Sequence, residues 1–121
     1  MSEFDELIKM LDESGIPYER DDDSSMTIIY GIPCGGIQRI KYPKREDFVC
    51  SVIYGHGTYG FESGKLEIMG LLTPEEEKYD SVVGYLTAKE VFDRINKHYK
   101  VIIFYNYDKE KTNEHEGLGY K

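Results

Sequence analysis

Gly70-Leu71-Leu72-Thr73-Pro74-Glu75-Glu76 and Gly84-Tyr85-Leu86-Thr87-Ala88-Lys89-Glu90 share one pattern, Gly-x-Leu-Thr-x-x-Glu, repeated at a spacing of fourteen residues. Each copy reads as the entry to a helix. The Thr hydroxyl accepts from a free backbone N–H of the first turn, and the Glu three residues on reaches back to the Thr N–H. Pro74 stands at the first helical position, where its missing N–H costs nothing. The copies read as unequal. The first opens a short, charged turn through Tyr79 with little to bury. The second opens a helix over about 88–98 with Val91, Phe92 and Ile95 on an apolar stripe. Both belong to the scaffold, and neither supplies chemistry.

Outward from this pair, Ser2 with Asp5 three residues later caps a first helix. Phe4, Leu7, Ile8 and Leu11 then recur at helical spacing, Gly15 stops the helix and Pro17 prevents a restart. Next the period changes to that of strands: Met26–Tyr30, Ile37–Tyr42, Phe48–Tyr54 and Lys65–Met69, joined by short Gly- and Pro-bearing connections. Phe48, Cys50, Val52 and Tyr54 share one strand face. Val101–Tyr105 is an apolar run that reads as a last strand. The predicted fold class is α+β: an antiparallel sheet of four or five strands, with the N-terminal and Thr87-capped helices on one face. Residues 1–107 form one domain, and 108–121 form a polar tail expected to fray.

The 121 residues carry a formal net charge of −8, with eleven Tyr, five Phe and no Trp. An acidic surface repels nucleic-acid phosphates and acidic membranes, so direct binding to either is not expected. The charge is polarised along the chain. Residues 1–23 carry a local net of −7, and residues 37–45 a local net of +4 from Arg39, Lys41, Lys44 and Arg45. Glu13, Glu19, Asp21, Asp22 and Asp23 are therefore the candidate partner-binding acids, fit for a basic protein surface such as that of a nucleic-acid enzyme. The basic stretch can instead pair within the chain.

The rival site is the loop Gly55-His56-Gly57-Thr58-Tyr59-Gly60. Its glycines could admit an anion, with His56 as acid or base beside Tyr54 and Tyr59. A plain hairpin loop explains the same residues, and the spacing matches neither a P-loop nor a dinucleotide fingerprint. Asp21–Ser25 resembles the start of a calcium loop. Positions six and twelve, however, hold Met26 and Ile32 in place of Gly and Glu, so no metal is expected. Cys50 reads as a core thiol. Cys34, in a Pro-Cys-Gly-Gly loop, would need a nearby cation or base to act as a thiolate. No cofactor is implied, and catalytic residues are not assigned. No signal-peptide-like opening and no span-length apolar run occurs, so the expectation is a cytoplasmic protein with reduced thiols.

Leu66–Thr73, followed by Asp80–Ile95 with its Ser81-Val82-Val83-Gly84-Tyr85-Leu86-Thr87, resembles small proteins of Gram-positive phages and prophages that have no assigned activity. Gly15-Ile16-Pro17-Tyr18-Glu19 extends the likeness. What the resemblance implies is context: a mobile-element protein that binds and blocks host nucleic-acid machinery, as anti-CRISPR or anti-restriction proteins do.

Overall fold

The computed structural model describes residues 1–25 and 27–119, except the side chains of 27, 29, 33, 34 and 108–119. Helix α1 spans Glu3–Glu13 and opens on Ser2, whose hydroxyl accepts from Asp5 N–H while the Asp5 carboxylate accepts from Ser2 N–H. Gly15, at φ +66°, turns the chain, and Ile16 drops into the core. Strand β1 (Glu19–Arg20) lies at one edge of the sheet. A separate hairpin, β2 (Thr27–Ile29) and β3 (Ile32–Cys34), follows before β4 (Gln38–Tyr42), β5 (Cys50–Tyr54), β6 (Leu66–Met69), α2 (Pro74–Glu77), β7 (Val82–Leu86) and α3 (Ala88–Gly119).

The sheet is antiparallel throughout, in the order β1-β4-β5-β6-β7. This is the expected α+β architecture with five strands. Alternation along each strand divides its two faces. Ile40, Tyr42, Cys50, Val52, Leu66, Ile68 and Leu86 turn inward, where they meet Phe4, Leu7 and Leu11 of α1 and Ala88, Val91 and Ile95 of α3. Arg39, Ser51, Ile53, Glu67, Met69 and Val82 line a shallow hollow on the opposite face. Glu3 of α1 ties the two helices together, because its carboxylate accepts from Ala88 N–H at the start of α3, 3.1 Å away. A carboxylate suits the positive end of a helix.

Both copies of the doubled pattern are capping boxes: Thr73 with Glu76, and Thr87 with Glu90. They share a further feature. The residue after each glycine is left-handed, Leu71 at φ +57° and Tyr85 at φ +61°. Each glycine is also a close approach. A Cβ on Gly70 would meet the Val49 carbonyl oxygen at 2.1 Å, and one on Gly84 would meet the Tyr59 Cβ at 2.2 Å. The repeat is thus a whole strand-to-helix corner, of which the cap is the last part.

One expectation needs correction. Val101–Tyr105 is not a strand: α3 runs unbroken from Ala88 to Gly119. No Gly or Pro stands between Ala88 and Tyr107 to stop a helix already started by its cap, and a short apolar run has no period that separates helix from strand. The fifth strand of the sheet is instead β7, Val82–Leu86. Its alternation is broken by Gly84 and by a register shift opposite Leu66–Ile68, so it did not read as a strand. β3 was also unread, because Gly31 and Pro33 look like breakers. The backbone of the tail from Asp108 is helical as far as Gly119, and Tyr120 and Lys121 lie outside the described residues.

Candidate functional site

Three surfaces compete for a functional role. The first is the acidic turn. Asp21 sits between two cations, 2.9 Å from Lys41 Nζ and 3.3 Å from Arg39 Nε. Asp22 accepts from the Arg20 guanidinium at 2.7 Å and from the Arg39 backbone N–H at 3.0 Å. Asp23 accepts from Ser25 N–H, and its backbone bridges to Ile37. Glu19 accepts from Arg45 N–H. These contacts hold the carboxyls of Asp21, Asp22 and Asp23 below their usual range. The leading causes are the Lys41 hydrogen bond for Asp21, the Arg20 hydrogen bond for Asp22 and the Ser25 N–H for Asp23. Folding therefore returns the basic stretch to the acidic one: Asp21 and Asp22 pair with Lys41, Arg39 and Arg20, while Glu19 and Asp23 accept backbone N–H groups. Glu13, at the exposed end of α1, makes no ion pair among the described residues.

The second surface is the Gly55–Gly60 loop. Thr58 folds it upon itself: its hydroxyl donates to Gly55 O at 2.7 Å and accepts from Gly55 N–H at 3.2 Å. The buried Glu67 accepts from Tyr59 N–H at 2.7 Å. The exposed His56 ring lies against Phe61, 4.5 Å between centroids, and Phe61 meets Tyr54 edge-on at 4.8 Å. Tyr54 in turn stacks on Phe4. Tyr59 stands apart, over Gly84 at the β7 corner. The fold thus joins Tyr54 and His56 through Phe61 and directs Tyr59 elsewhere. What this geometry builds is an aromatic ladder from loop to core. Among the described residues, no group of three or more His, Cys, Asp or Glu is placed to hold a metal ion. Burial pushes the Cys50 thiol up to about 12. The Cys34 side chain lies outside the described residues.

The third surface is the one the sequence reading missed. Beyond Lys100, α3 leaves the body of the domain. Val101, Ile102, Ile103, Phe104, Tyr105 and Tyr107 are all exposed, from 41 % at Ile102 to 71 % at Phe104. A helix segment apolar all round calls for burial on more than one side. No helix among the described residues is long and apolar enough to cross a membrane. Where α3 departs, the Tyr42 hydroxyl and His98 Nδ1 share a 2.7 Å hydrogen bond that closes the end of the core. Beside it lies an open groove of about 400 Å³, with Leu71, Leu72 and Thr73 on one wall and Arg94, His98 and Val101 on the other. Arg94 is locked in place: it donates to Leu71 O and grips both oxygens of Glu76 at 2.7 and 2.8 Å. That grip holds Glu76 down to about 2. The signal that could have found this surface was the missing breaker between Ile95 and Tyr107.

No family model matches the chain, and neither the curated proteins nor the solved structures contain a match to it.

Proposed function

We propose that this chain acts by binding protein, and that the apolar end of α3 is its docking element. The observation that carries the reading is the run of six large apolar side chains exposed along Val101–Tyr107. Exposed apolar surface of this continuity marks an interaction site on a water-soluble domain, and Phe and Tyr are the side chains that interfaces favour. The adjoining groove, apolar and edged by the Arg94 guanidinium and the His98 ring, has the form of a receptor for an inserted side chain. Charge adds support for a protein partner. Glu13, Glu75 and Glu77 are exposed, and none of them forms an ion pair among the described residues. A net charge of −8 favours a basic target, such as the nucleic-acid-binding face of a host enzyme, and the phage-like resemblance favours an inhibitor. Asp21 and Asp22 contribute less to such a contact, because they already hold cations of their own.

The test is capture with the full chain as bait, comparing wild type with Tyr105→Asp, with Glu75→Lys/Glu77→Lys and with His56→Ala. The proposal expects Tyr105→Asp to lose the bound protein and His56→Ala to keep it. A captured protein that is indifferent to Tyr105 and lost with His56 would move the function to the loop.

A further inference from the structure

Resting on the reading of α3 as a docking element, we infer that its partner is a second copy of this chain, in an antiparallel α3–α3 dimer. The two halves of such an interface lie side by side on one molecule. Arg94, His98, Val101 and Tyr105 are spaced four, three and four residues apart, which places them in one stripe along the helix. The first three line the groove, and the fourth projects beyond it. A two-fold axis near Val101 sets each Tyr105 opposite the other copy's His98. Its ring then enters the groove between Leu71 and Leu72, with the hydroxyl toward Thr73 and Lys97. Tyr suits that site, being an apolar ring with a polar tip. One operation fills both grooves and covers both overhangs, and the contact closes on itself.

The surface area agrees. Phe104, Tyr105 and Tyr107 are 61–71 % exposed, and aromatic side chains bury about 150–250 Å² each. With Val101, Ile102 and Ile103 they offer a large part of the roughly 800 Å² that each partner gives to a stable interface. Charge does not oppose the pairing despite the overall −8. Arg94 is neutralised by Glu76, and Lys97 and Lys100 can lay their stems along the apolar helix with their heads in water.

Light scattering on the full-length protein at micromolar concentration tests this. The expected mass is twice the 14.0 kDa of one chain, falling to one chain in Val101→Asp/Tyr105→Asp with the circular dichroism unchanged. Both side chains are exposed, so the variant folds. Val101→Cys in a Cys34→Ser background is expected to form a disulfide-linked dimer on mild oxidation, since Cys50 is buried. A wild-type monomer overturns the inference. So does a dimer that survives the double substitution, or one that resists cross-linking at position 101. A monomer that still captures another protein through Tyr105 overturns the dimer alone and leaves the docking reading in place. If Tyr105→Asp alters neither mass nor capture, both fall.

Discussion

At the scale of single residues, the doubled pattern makes demands well beyond its caps. Gly84 packs on the Tyr59 Cβ, and Gly15 faces open space at φ +66°. Gly84→Ala forces two backbones apart and should destabilise by more than about 3 kcal/mol. Gly15→Ala meets only the left-handed penalty of about 1 kcal/mol. Chemical denaturation of the two variants checks the order, and similar losses would contradict the close approach. Tyr85 holds its left-handed conformation although exposed, so Tyr85→Gly should stabilise by up to about 1 kcal/mol. A clear loss instead would mean that the Tyr85 ring is packed. The Glu76–Arg94 pair gives a pH signature. The Glu76 carboxyl falls from 4.5 to about 2 on folding, so its contribution is complete above pH 4.5 and is lost as pH drops toward 2. Discounted for its partial exposure to solvent, the pair is worth about 1–2 kcal/mol. Stability of the wild type should therefore fall more steeply than that of Glu76→Gln across this window, and parallel curves would refute the assignment.

At the scale of elements, the two helix entries proved more alike than their sequences suggest. The Thr73 turn buries no side chain, as its charges imply. Yet the same Glu76 that completes its cap holds Arg94 of α3, so the turn is anchored by an ion pair in place of a core contact. Thr87→Ala and Thr73→Ala should accordingly cost similar amounts, each about 1 kcal/mol, measured by thermal unfolding. A negligible loss for Thr73→Ala would restore the unequal ranking that apolar content alone implies. Most elements were legible because each carries its own boundary signal: Ser2 and Thr87 as caps, Gly15 as a stop, the alternation of Cys50 and Val52. Illegible elements were those whose signal conflicts with its surroundings. β7 contains Gly84 and a left-handed Tyr85, and α3 crosses a β-branched run at Val101–Ile103 that propensity assigns to a strand. A capped helix with no breaker overrides that preference, because adding one residue to an existing helix is far easier than starting a new element.

At the scale of the whole molecule, charge and apolar surface are distributed differently from the first expectation. The acids at Asp21 and Asp22 and the bases at Arg20, Arg39 and Lys41 are separated in sequence and joined in the fold. Reversing Asp21 to Lys should therefore lower the melting temperature, because it sets a third cation beside Arg39 and Lys41. An unchanged melting temperature together with weakened partner binding would return that turn to a recognition role. A candidate site at the acidic turn was legible from local charge, but its internal pairing needed the β1–β4 register, which no local pattern encodes. The end of α3 was legible as apolar and misread as a strand. The central claim is that Val101–Tyr107 is a covered helix in the working protein. Amide hydrogen exchange of those residues at high and low protein concentration tests it most directly. The account predicts strong protection at high concentration that fades on dilution and is absent in Tyr105→Asp. Rapid exchange at every concentration, equal in wild type and variant, would contradict it.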